Sequence, residues 1–188
     1  MKKLLKITTA LTLVMFVSGC SHGSAKPTAQ NAKALGVKTV YIRSDKANYS
    51  SNSRIAQNIK NECKLDTSLI SYIKQAATEN GMSVVVKDNI APDEVELKVE
   101  ITDAISSGNA FIGHRKFIAI AGSLTKGGKS IGSFEAARRT GGGMFAGFKS
   151  SCAVLARATK VLGQDTLRWV KNPADKAQLG DVRLIPRH

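Results

Sequence analysis

The chain has 188 residues and an ordinary apolar fraction of 43%, which predicts one packed domain and leaves too little chain for a second. Its 28 lysines and arginines stand against 14 acids, a formal net charge of +14. A basic balance of that size is associated with nucleic acid in a cytoplasmic protein, but the first twenty residues argue against that setting.

Met1 to Lys6 carries three lysines and no acid, and Ile7 to Val17 is almost wholly apolar. This is the charged region and apolar core of an export signal, too short to span a bilayer comfortably. It closes on Val17-Ser18-Gly19-Cys20, an apolar residue, two small ones and a cysteine. That order resembles the lipobox of bacterial lipoproteins. The resemblance implies cleavage before Cys20, diacylglycerol on its thiol and acylation of the new amino group. Three acyl chains, at about 0.8 kcal/mol per buried methylene, anchor a protein more firmly than one. The other reading is an ordinary export signal with an incidental cysteine. Ser21 follows the cysteine, where the sorting rule of enteric-type bacteria places Asp for inner-membrane retention, so the expected address is the outer membrane.

Ser21 to Gly36 is small and polar and reads as a linker. The expected organisation is a signal at 1–19, a linker at 20–36 from the lipidated Cys20, a domain at 37–173 and a tail at 174–188. Val37 to Ile42 is β-branched and aromatic, a strand. Arg54 to Asn61 forms a helical turn or two. Asp66 is placed as an N-cap, followed by Leu69, Ile70, Ile73, Ala76 and Ala77 at helical spacing and a stop at Asn80-Gly81. Met82 to Lys87 is a second strand. In Val95 to Ile101 the apolar residues alternate with Glu96, Lys98 and Glu100, so Glu96 and Glu100 are expected on a wet face. Lys116 to Leu124 and Ser130 to Ala137 form a hairpin across Gly127-Gly128. His114-Arg115-Lys116 reads as a charged lead into that strand.

The last helix is expected over Phe148 to Val170. At about 100° per residue, Phe148, Cys152, Leu155, Thr159, Leu162 and Val170 share its inner side. Lys149, Arg157, Lys160, Arg168 and Lys171 fall on its back. Trp169 is expected to pack at its end. Asn172-Pro173 ends it, with a short edge segment at Val182 to Ile185. The order β-α-β-β-β-β-α predicts an α+β two-layer sandwich, a mostly antiparallel sheet with two main helices on one face.

Without the signal, 25 basic residues face 14 acids, and the excess is lopsided. Cys20 to Gly113 holds 11 basic and 10 acidic residues, His114 to His188 holds 14 and 4. Export removes nucleic acid from the expected partners. The anions of an envelope remain: lipid head groups, lipopolysaccharide phosphates, cell-wall polymers and acidic proteins. The other reading is a basic surface that only keeps the domain soluble. Cys63 and Cys152, an even pair in an oxidising compartment, read as a disulfide. Two buried thiols or a metal site are the alternatives, the metal disfavoured because His22 and His188 lie near the ends. A bridge would close about 90 residues, for which the chain-entropy model gives about 4 to 5 kcal/mol.

Two stretches imitate a phosphate loop. Gly122 to Ser130 has the wrong glycine spacing and leads into a strand. Gly142 to Ser150 has the right spacing, but Phe148 displaces Lys149. An anion site built from Arg138, Arg139, the amides of Gly141 to Gly143 and a helix start at Gly147 is the weaker reading that survives, against a loop whose glycines only permit close approach to the sheet. No Gly-x-Ser-x-Gly or paired carboxylates point to an enzyme, and no cofactor is implied.

Once these residues are placed, Gly132-Ser133-Phe134 with Arg138-Arg139, Gly147-Phe148-Lys149 with Cys152, Leu162-Gly163-Gln164-Asp165, Trp169 and Glu62-Cys63 resemble a family of uncharacterised proteobacterial lipoproteins. The likeness covers about residues 60 to 173. That family has no established activity, so no catalytic residue carries over. The architecture is more loosely similar to lipoproteins of the YajG kind and to periplasmic parts of secretion-channel lipoproteins such as CsgG, whose long transmembrane hairpins are absent here. Those likenesses imply binding and assembly. The expectation is a membrane-anchored, non-catalytic binding or scaffold module presenting a basic helix face. The alternative is an accessory subunit of a transport or secretion complex that docks by its sheet edge.

Overall fold

The computed structural model describes residues 36–107, 115–141 and 150–185. Cys20, the linker through residue 35, His114, Lys149 and the glycine-rich loop lie outside them. The fold is α+β, a two-layer sandwich. In chain order it runs β1 (Thr39–Ile42), β2 (Asn48–Tyr49), α1 (Gln57–Cys63), α2 (Leu65–Glu79), β3 (Ser83–Val86), β4 (Val95–Ser107), β5 (Arg115–Lys126), β6 (Lys129–Gly141), α3 (Ser151–Lys171) and β7 (Ala177–Gly180), then a 3-10 turn at Val182–Leu184.

The sheet order is β3-β1-β4-β5-β6-β7, with β2 also beside β4. The long strands β4, β5 and β6 form an antiparallel meander. Short parallel strands are added on both sides. Gly127 and Gly128 both take positive φ, which the tight hairpin between β5 and β6 requires and which a side chain would resist. The alternation read in β4 continues past Ile101 only because a bulge between Ile101 and Asp103 resets it, so that Ala104 is again buried.

One face of the sheet carries all three helices. Val40, Ile42, Leu97, Ile101, Ile118, Ile120, Leu124, Phe134 and Ala136 meet Ile59 of α1, Leu65, Leu69, Ile70 and Ile73 of α2, and Leu155, Leu162 and Val170 of α3. The opposite face is covered at one end, where Val182 and Ile185 pack on Phe117, Ala119 and Ala137. This second cover explains why Phe117 to Ile120 is buried without alternation.

Three expectations need correction. Asp66 is not the N-cap of α2. Lys64 in the left-handed region separates α1 from α2, which begins at Leu65 and holds Asp66 in its first turn. The edge segment lies at Ala177–Gly180, not at Val182 to Ile185. It is fixed by Ser133 Oγ–H donating to Asp175 (2.6 Å), Lys176 N–H donating to Ser133 Oγ (3.0 Å) and Trp169 Nε1–H donating to Ala174 O (3.0 Å). The last helix starts at Ser151, capped by Ser150 Oγ accepting from Ala153 N–H (3.2 Å), not at Phe148 or Gly147.

Candidate functional site: the outer face of the last helix

The buried side of α3 is set by Leu155, Ala158, Leu162 and Val170, and the two threonines on it are satisfied locally. Thr159 and Thr166 donate to the carbonyls of Leu155 and Leu162, each at 2.9 Å. At Gly163 the helix crosses α2 so closely that a Cβ would stand 2.9 Å from the Tyr72 backbone. Trp169 packs as expected, its ring centroid 4.6 Å from that of Phe134. Cys152, in the first turn, is bonded to Cys63, the last residue of α1 (sequence separation 89). The bond ties the start of α3 to α1 across the same side of the sheet.

This packing exposes the opposite side. Arg157, Lys160, Arg168 and Lys171 are all exposed, as the helical spacing predicts. They are not equivalent. Arg168 donates to Asp165 Oδ1 at 2.8 Å, and Arg138 of β6 reaches Oδ2 of the same carboxylate at 2.7 Å. Asp165 is 4% exposed, so one buried acid holds two arginines and pins α3 to the sheet. Lys171 Nζ donates to Asn80 Oδ1 (2.7 Å) at the end of α2. Among the described residues Arg157 and Lys160 have no ion pair. Lys171 has none either, its hydrogen bond going to a neutral amide, but Arg157 and Lys160 are the pair that no side-chain contact holds in place among the described residues.

Arg138 and Arg139 are not brought together. Adjacent in a strand, they point to opposite faces: Arg138 to Asp165 under α3, Arg139 outward, with its backbone N–H donating to Asp181 Oδ2 (2.9 Å). Their two side chains therefore do not form a joint anion site. Gly142 to Gly147 and Lys149 lie outside the described residues.

Two charged residues behave differently from the sequence reading. Glu96 is 8% exposed rather than wet. Arg43 grips it with Nε at 2.7 Å and Nη2 at 3.2 Å, and these hydrogen bonds hold its carboxyl below the usual carboxylate range despite desolvation. Lys116 is 2% exposed, on the helix side of β5, with Nζ donating to Ser106 Oγ at 2.6 Å. Burial pushes its ammonium below the ordinary lysine range. Sequence offers no signal for the Arg43–Glu96 pair, whose members lie 53 residues apart.

Among the described residues no group of His, Cys, Asp and Glu could hold a metal ion, and no helix is long and apolar enough to cross a membrane. No family model matches the chain, and no curated protein matches it. Solved structures show distant likenesses. A minor lipoprotein from Acinetobacter baumannii is 15% identical, over 73% of this chain and 94% of that one, with a TM-score of 0.44. A Xanthomonas campestris protein of family DUF330 is 10% identical over 72% and 84%, with a TM-score of 0.48. The lipoprotein GNA1162 from Neisseria meningitidis is 12% identical over 69% and 98%, with a TM-score of 0.41. Identities and scores this low do not bear on what this chain does.

Proposed function

We propose that this chain is an envelope lipoprotein anchored through Cys20, a non-catalytic binding or scaffold module that turns the outer face of α3 toward an envelope anion or an acidic partner. The observation that carries the reading is the exposed Arg157 and Lys160, one turn apart and without an ion pair among the described residues. Cations already held by buried acids add little to an outside partner, whereas unpaired ones contribute field and on-rate. The lipobox order before Cys20 and Ser21 behind it support an outer-membrane address, with the domain on the periplasmic side.

A photo-reactive residue at Lys160, crosslinked in cells and read by mass spectrometry, tests this reading. Adducts with lipopolysaccharide or cell wall, or one discrete acidic protein, are expected. An absence of adducts there would return the face to a merely solvated surface. Cys20→Ala is expected to release the protein from membranes or leave its signal uncleaved, and unchanged fractionation would refute the anchor.

The second reading, docking by a sheet edge, has its own observation. β3 is an edge strand, Ser83-Val84-Val85-Val86, with Val85 37% and Val86 36% exposed. Within the strand, the charges and prolines that usually blunt an edge are missing. Binding through this edge would survive high salt, and binding through α3 would not.

A further inference from the structure

The row of strands beside β4 is interrupted. β1 meets β4 at Tyr41–Glu96, and β2 resumes at Asn48–Glu100 and Tyr49–Ile101. The connection between them swings away from the sheet, where Ala47 N–H donates to the Asp66 carbonyl (3.2 Å). No residue of β1 or β2 is therefore paired with Leu97, Lys98 or Val99. Ser50 N–H reaches the Ile101 carbonyl from this side at 2.9 Å. By strand alternation the Leu97 carbonyl and the Val99 N–H point the same way, into the interruption, while the Leu97 N–H and the Val99 carbonyl are taken by the flanking parallel bridges of Tyr41 and Asn48.

The interruption is a cavity of about 600 Å³, a volume within the usual range of small-ligand sites. It opens on the outer face of the sheet and reaches inward as far as Ile70, which like Ile42 and Leu97 is itself nearly fully buried. Its inner wall is Ile42, Leu97 and Val99, with Ile70 of α2 from the helix layer as its floor. Lys46, Lys98 and Glu100 stand at its mouth on the open face, with Ala121 and Ser123 of β5 opposite. Arg43 and Glu96 also line it but largely neutralise one another. Lys98 reaches Glu96 only at 3.8 Å. The groups left to a ligand are two cations, one carboxylate, strand backbone and an apolar slot.

We propose that this cleft binds a short extended peptide segment, one that places an apolar side chain against Val99 and the edge of Ile70 and a carboxylate near Lys46 and Lys98. A peptide supplies what each part of the site lacks: amide groups for the backbone of Leu97 and Val99, a side chain for the slot and charge for the rim. An acyl chain would fill the slot but leave the strand backbone unanswered. The inference does not depend on the basic face of α3.

The test uses methyl NMR on the full chain carrying Cys20→Ala, titrated with the tetrapeptides acetyl-Gly-X-Asp-Gly, where X is Leu, Ile, Phe or Gly. Saturable shifts at the methyls of Ile70, Leu97 and Val99 are expected for the three apolar peptides, with about tenfold weaker binding for X = Gly and for Lys98→Glu, a substitution on an exposed side chain. Ala121→Trp, which fills the mouth from β5, is expected to abolish the shifts. The proposal is overturned if no peptide gives a saturable shift up to about 10 mM, if the shifts persist in Ala121→Trp, or if sodium decanoate alone produces them.

Discussion

The two ends of α3 hold themselves to the body in different ways. At its C-terminal end, Asp165 collects Arg138 and Arg168, Trp169 lies on Phe134 and Lys171 reaches Asn80. Its N-terminal end is tied by the Cys152–Cys63 bond, and the turns that follow carry Arg157 and Lys160 with no ion pair among the described residues. A net charge counted from sequence treats these cations alike. The structure divides them into cations held in place by side-chain partners of the fold and cations left free to meet a partner outside it.

Breaking the covalent tie should have the largest effect on stability. Cys63→Ser or Cys152→Ser is expected to lower unfolding free energy by about 4 kcal/mol, read from denaturant midpoints under oxidising conditions. The parent should show a gel-mobility shift on reduction, and the same variants should lose it, each as fully as the other. Next comes the opposite end. Asp165→Ala leaves the half-buried Arg138 without its acid and should cost about 3 kcal/mol. A cost under about 1 kcal/mol would mean that Arg138 reaches water freely and that the two ends differ less than described.

Arg157→Glu with Lys160→Glu should change stability by less than about 0.5 kcal/mol, while removing any salt-sensitive binding to anionic vesicles or lipopolysaccharide. A marked loss of stability there would show these cations to be structural, and the comparison would collapse. The smallest effect concerns pH. Glu96 and Glu94 have folded pKa values held below the ordinary range, chiefly by hydrogen bonds from Arg43 and Lys87. Their contribution is complete above the unfolded value, about 4.3, and is lost as pH falls through the lowered folded value. Glu96→Gln should flatten stability below about pH 4 and leave the neutral range nearly unchanged in slope.

Much of this was readable beforehand. The period of two in β4, the period of 3.6 in α3, the Gly127-Gly128 turn and the pairing of Cys63 with Cys152 are local patterns or simple counting. What escaped depends on contacts far apart in sequence. Glu96 sits at a position that alternation assigns to water, and it is buried because a loop residue folds over it. Lys116 follows the strand period onto the helix side, against its charge. Arg138 and Arg139 look like a doublet in text, yet strand geometry sends them to opposite faces, which the same period of two could have revealed. The edge strand Ala177–Gly180 has no β-branched residue. It is held by Ser133 and Trp169, not by its own propensity.

The meander at the centre of the sheet has a consequence for how quickly the chain organises. β4, β5 and β6 are consecutive and pair as neighbours, so their ladder forms between residues near in sequence. Both edges recruit from farther away, Val40 pairing with Val84 and Phe134 with Ala177. Loop-closure entropy favours the nearer contacts first. Substitutions at Ile120 or Leu124 should therefore slow folding, while those at Val84 or Leu179 should mainly hasten unfolding. The edges, where a partner strand would dock, are the last parts of the sheet to arrive.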